Sequence, residues 1–180
     1  MRKKTVTWFV AVALTLFCAF EAMAQGGLLR AQQTALAKVT GIKVLAVGTF
    51  SSTVESRAYT PSVADGIRDQ ARDFTLARHG AAAEASLDVG IGLRYQLTGS
   101  PKGAAVVVDV VVEHPQIVNP DTQLPMTHST AQFERVIGEV EHSVWNFDTQ
   151  ADLVPGEYVI EILHKGRLLA RQAFQVTVKP

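Results

Sequence analysis

Four side chains in one stretch have the chemistry to hold a metal ion or a small ligand: His114, Asn119, Asp121 and His128. Two imidazoles with a carboxylate suit Zn²⁺ or Cu²⁺, which take nitrogen and oxygen donors. Pro115, Pro120 and Pro125 lie among them. Each proline fixes φ and lacks an N–H, so residues 114–128 read as a stiff, irregular connection able to close on itself. The spacing matches no standard ligand motif. Solvent-exposed histidines are the plainer reading, and Asn119-Pro120-Asp121 also suits a turn, because Asx side chains bond nearby backbone. No cofactor is expected, and the loop stands as the candidate metal or small-ligand site.

Signatures of catalysis are missing from the sequence. There is no G-x-S-x-G elbow, no H-E-x-x-H, no phosphate loop and no dinucleotide fingerprint. Gly90-Ile91-Gly92 sits inside an alternating run with no third glycine and no helix after it, so it is not a nucleotide turn. Glycines so placed let another layer approach closely, or mark a bulge. Glu113-His114 and Glu141-His142 pair an acid with a base in sequence only, since neighbours in a strand point to opposite faces. The reading is binding rather than catalysis, with catalytic residues none.

The chain opens with Arg2, Lys3 and Lys4, an apolar run from Val6 to Phe20, and Ala22-Met23-Ala24 before Gln25. A basic start, an apolar middle and an A-x-A end make a signal peptide over residues 1–24, with cleavage near Ala24. The run is shorter than the ~20 residues a spanning helix needs. Export to the periplasm or beyond is the expectation, with no membrane span left after cleavage. Of 17 basic and 17 acidic residues, the signal takes Arg2, Lys3, Lys4 and Glu21, leaving a slight acidic excess. No Lys/Arg run remains, so the footprint of a nucleic-acid binder is absent. Cys18, the single cysteine, also lies in the signal. The mature chain must therefore hold together by its core, without disulfides.

The elements that would position a site follow from hydrophobic period. Residues 25–38 suit a tether or short helix. From Val39 the period becomes two: Ile42, Val44, Ala46, Gly48 and Phe50 share one strand face. Residues 51–73 are polar, with room for one short strand near Val54 to Tyr59. Val89, Ile91, Leu93, Tyr95 and Leu97 alternate cleanly, and Gly99 to Gly103 turns the chain. Val106, Val108, Val110 and Val112 then form an apolar face. Val107 and Val111 sit among Asp109 and Glu113 on the other face, which is unusual for a strand with one wet side. Either the N-terminal segment around Leu28 to Leu36 covers them, or they form an interaction surface for a protein partner. Trp145 and Phe147 share a face that fills a core. A last hairpin carries Tyr158, Ile160 and Ile162, turns at Lys165-Gly166, and returns with Phe174, Val176 and Val178.

About seven short strands with turn signals between them describe an all-β, immunoglobulin-like antiparallel sandwich spanning residues 39–180. His114-Pro115, Asn119-Pro120-Asp121, Val154-Pro155-Gly156-Glu157-Tyr158 and Lys165-Gly166-Arg167-Leu168-Leu169, closing on Phe174-x-Val176, carry a further signal. With these motifs the chain resembles the bacterial domain-of-unknown-function family 3859, from about Lys43 to Val178. The resemblance implies a sandwich fold in an exported bacterial protein, and it supplies no activity and no functional residues. The functional expectation is a non-catalytic protein-interaction or envelope accessory domain; the alternative is a metal- or small-ligand-binding protein using the loop 114–128.

Overall fold

Among the described residues the chain forms nine strands: β1 (Lys38–Tyr59), β2 (Ile67–His79), β3 (Ala82–Ala85), β4 (Gly90–Ser100), β5 (Ala105–Val118), β6 (Pro125–Val136), β7 (Val140–Asn146), β8 (Gly156–His164) and β9 (Arg167–Val178). The computed structural model describes residues 36–178 apart from 65, 88, 120 and 121, and the backbone alone at 67 and 69. The expected signal peptide and most of the 25–38 segment lie outside the described residues. One sheet has the order β2-β1-β4-β7, and the other β3-β9-β8-β5-β6. All neighbours are antiparallel except β3 and β9, which run parallel.

The alternating runs fill the space between the sheets as their period requires. Ile91, Leu93, Tyr95 and Leu97 of β4 are buried, and so are Val106, Val108, Val110 and Val112 of β5. Tyr158, Ile160, Ile162, Phe174 and Val176 of the final hairpin complete the core, with Trp145 and Phe147 facing inward as expected. Each fully buried aliphatic or aromatic side chain contributes about 1.5–3 kcal/mol over its exposed state. The Lys165-Gly166 turn has φ of 51° and 75° at its two residues. Two left-handed positions in a row match the right-handed twist of the hairpin they join.

Three segments differ from the sequence reading. First, β1 does not stop at Phe50 but runs unbroken to Tyr59, paired throughout its second half with β2. Its polar side chains carry no period because both faces of that half are largely exposed, and its ladder to β2 is main-chain pairing. Second, an irregularity between Val44 and Ala46 shifts the register against β4. It throws Val44 to the outside while Ala46 and Phe50 stay buried. Third, residues 114–128 are not one connection. β5 continues to Val118 and β6 starts at Pro125, so only 119–124 join them. Pro115 lies in the irregular pairing between Glu113 and Ile117, and Pro125 opens an edge strand. Both are places where a missing N–H breaks no central ladder bond.

Gly92 shows why the 90–92 glycines are small. A Cβ there would stand 2.4 Å from Ser143 O and 2.8 Å from the Val144 side chain, so the neighbouring strand β7 takes up that space. Truncating the inward face should be costly: Ile160→Ala or Phe174→Ala should each lose roughly 2–5 kcal/mol in denaturant melts. Lys165→Ala should stay within about 0.5 kcal/mol of the parent, since alanine inherits the same turn strain on an exposed site. Equal small losses for all three would place the inner face elsewhere.

Candidate functional site

The surplus length of β1 builds the most distinctive feature. β1 pairs with β4 only as far as Phe50 opposite Gly90. Beyond that point β1 and β2 form a two-stranded arm that leaves its sheet and reaches β6 of the other sheet. Three hydrogen bonds pin its tip. Thr130 N donates to Ser62 O (2.9 Å), Ser62 Oγ donates to Thr130 O (2.7 Å), and Ala64 N donates to Ser129 Oγ (2.8 Å). At the base, Phe74 stacks on His142 with 4.8 Å between centroids, and Phe50 meets the same imidazole edge-on at 5.7 Å. Arg57 reaches Asp148 at 3.5 Å.

His114 anchors the tip from inside. It is buried, with Nδ1 2.8 Å from Pro115 O and Nε2 3.1 Å from Ser129 Oγ. A carbonyl can only accept, which assigns the proton to Nδ1. Nε2 therefore accepts from the Ser129 hydroxyl, whose oxygen in turn accepts from Ala64 N. The bond from the arm thus ends on a neutral imidazole. Burial holds His114 below the usual histidine range, against the opposing pull of the bond to Pro115 O. Its ring packs 5.1 Å from Trp145 and 6.3 Å from Tyr158. Pro115 is fixed in turn by Gly156, where φ is +146° and a Cβ would stand 2.6 Å from Pro115 Cγ.

The described ligand candidates, His114, Asn119 and His128, lie in different surroundings. His128 is exposed and pairs with Glu113, on the face opposite to His114. Alternation along β5 and β6 separates the two imidazoles. Asn119 is buried, and its Oδ1 accepts from Thr122 N at 2.9 Å, the Asx turn its type favours. Asp121 lies outside the described residues. Among the described residues no group of three histidine, cysteine, aspartate or glutamate side chains is placed to hold a metal.

Beneath the arm lies a cleft of about 590 Å³ between β2, β6 and β7. Val110, Val112, Ala131 and Trp145 line its floor, and Arg68, Arg72 and Phe74 of the arm its roof. Arg135 closes one side: its Nε donates to Tyr95 Oη at 3.2 Å, its Nη2 donates to His142 O at 2.9 Å, and Glu141 lies 3.6 Å away. Arg135 and Arg68 flank the Phe133 ring at 4.7 and 5.2 Å. Burial, then Arg94 and Arg135, keep His142 below its ordinary range. Among the described residues Trp145 Nε1, on the cleft wall, has no protein hydrogen-bond partner. The sequence reading missed Ser62, Arg68 and Ser129, whose residue types and spacing carry no local mark of a site.

The second surface is the outer face of the five-stranded sheet. Val107 is 50% exposed, and Leu168 49%. Val111 is partly covered, beside Arg171, which reaches Glu161 at 2.9 Å and Glu113 at 3.7 Å. β5 is a central strand, so the exposed valines interrupt the middle of a sheet rather than its rim.

The model of the family Domain of unknown function (DUF3859) matches residues 40–176. The chain belongs to that family. An immunoglobulin-like protein from Pseudomonas aeruginosa, solved at 1.50 Å, is similar to this DUF3859 chain at 21% identity. The similarity covers 80% of this chain and 98% of that one, with a TM-score of 0.51. This places the fold among immunoglobulin-like sandwiches. An alkylpurine DNA glycosylase from Pseudomonas fluorescens, bound to DNA with an abasic-site analog, overlaps 76% of this chain and 30% of its own at 15% identity and TM-score 0.36. A β-glucosidase from Bifidobacterium adolescentis overlaps 82% and 20% at 12% identity and TM-score 0.35. No curated protein matches the chain significantly.

Acid should loosen the arm. The folded pKa values of His114 and His142 lie below the unfolded value of 6.5, so the unfolded chain binds more protons below that point. Their contribution is present above pH 6.5 and is lost as pH falls through the folded values. The hydrogen-exchange protection factors of Ala64 and Thr130, taken relative to intrinsic exchange at each pH, should fall from pH 7.5 to 5 more than those in β4. Ser129→Ala, which strips partners from Ala64 N and His114 Nε2, should cost about 1–3 kcal/mol at pH 7.5. Unchanged protection at the tip in both tests would detach the arm from His114.

Proposed function

We propose that this DUF3859 chain is an exported, non-catalytic domain that works by binding another protein in the cell envelope. The observation that carries the reading is the outer face of β5. Val107 stands half-exposed on β5 opposite Glu134 of β6, and further along the same face the partly covered Val111 lies opposite Glu161 in the charged cluster of Arg171, Glu161 and Glu113. Apolar side chains bordered by arginine and acids are the composition of protein interfaces. The basic start, apolar run and Ala22-Met23-Ala24 support export, and residues of the 25–35 segment are the competing cover for the same valines. Among the described residues no helix is long and apolar enough to cross a membrane.

Two measurements test this. N-terminal mass spectrometry of the protein from its producing cell should find Gln25 first; a retained Arg2–Phe20 segment or a lipid-modified Cys18 would refute the soluble exported form. A photo-crosslinking residue at Val107 should yield one discrete adduct with an envelope protein, lost when Val111→Lys is added and absent from the exposed turn residue Lys102. Adducts of equal yield at 107 and 102, or only to the chain's own 25–35 segment, would remove the valines as a partner surface.

A further inference from the structure

The cleft under the arm is built independently of the outer valine face, and its lining has a definite chemical sense. Its volume of about 590 Å³ lies within the range of small-molecule sites, roughly 300–1,000 Å³, with apolar walls and a few placed polar groups. The space exists because the inward positions of edge strand β6 carry small side chains, Ser129 and Ala131, opposite Val112 and Val110. Larger residues there would have closed the gap between the sheets. The floor is side-chain hydrocarbon, and the β6 edge is already taken at Thr130, whose N–H and C=O both bond to Ser62. An extended peptide adding to that edge would have to displace the arm. A compact ligand would not.

Charge at the roof sets the second half of the specificity. Arg72 is neutralised by Glu55 at 2.6 Å and Asp73 at 3.5 Å. Arg135 is committed to Glu141, His142 O and Tyr95. Arg68 differs: its Nη1 donates to Gln132 O at 3.3 Å, its guanidinium lies over Phe133, and it pairs with no carboxylate among the described residues. A guanidinium held by a ring and one carbonyl keeps donors free in the plane that suits a carboxylate. The geometry points to a binding site for a small amphipathic anion, its hydrocarbon part between Val110, Val112, Ala131 and Trp145 and its carboxylate on Arg68. The arm roofs the ligand.

Decanoate, kept below its micelle-forming concentration, is a suitable probe, with decanol as the uncharged comparison. Titration calorimetry on the purified protein should show saturable one-to-one binding of decanoate, at least about tenfold tighter than decanol. Arg68→Gln should weaken decanoate about tenfold with little effect on decanol, and Ala131→Phe should remove binding of both. Should Ala131→Phe also lower the melting temperature, Gln70→Trp on the exposed arm fills the same space without touching the core. Amide shifts on titration should fall in 68–74, 129–135 and 141–146 and spare 159–171. Absence of saturable binding, decanoate binding unchanged in Arg68→Gln, or shifts centred on the outer valine face would each overturn the assignment. None of these results depends on whether Val107 and Val111 meet a protein.

Discussion

A strand twice as long as its partner has to find other company. β4 offers β1 a ladder only from Lys38 to Phe50, and the remaining length is paired by β2 alone. A two-stranded ribbon in water is marginal by itself. It persists here because both of its ends are held, at the base by aromatic contacts to His142 and at the tip by hydrogen bonds to β6. The space below it, the capture of the β6 edge and the burial of His114 all follow from that one mismatch in length.

His114 joins the two layers of this arrangement. Its ring is stacked among core aromatics while one nitrogen serves the bulge at Pro115 and the other serves the arm. Burying a neutral imidazole is tolerable only when both nitrogens are satisfied, and here each has a partner of fixed role. The bulge matters because it lets a proline sit in β5 against Gly156 without breaking the ladder to β8. A side chain that looked like a free ligand in a loop is instead a structural hinge pin between sheet and ribbon.

Much of this was legible before any coordinates. The runs 91–97, 106–112 and 158–162 alternate because one side of each faces the core, and that signal survives in sequence. Trp145 and Phe147 were legible for the same reason. The arm was not, since period reports burial and the arm buries almost nothing. Proline misled in the segment 114–128, because a bulge and the head of an edge strand tolerate it as readily as a loop does. The 44–46 register slip was invisible too: a bulge changes parity without changing composition. Of the candidate site, His114 and Asn119 were found by residue type but given the wrong company, and Arg68 and Ser129 carried no local mark at all.

The parallel pairing of β3 with β9 has a meaning for the molecule's life among its neighbours. An unpaired last strand such as β9, with Phe174 and Val176 on one side, would be a template onto which further chains could add. Four residues, Ala82–Ala85, occupy that template. So short a strand can offer little edge of its own for continued growth, and Glu84 on it is exposed. Over Gln175–Val178 that edge is therefore already paired, and the fold carries part of its own protection against edge-to-edge growth between copies of the chain.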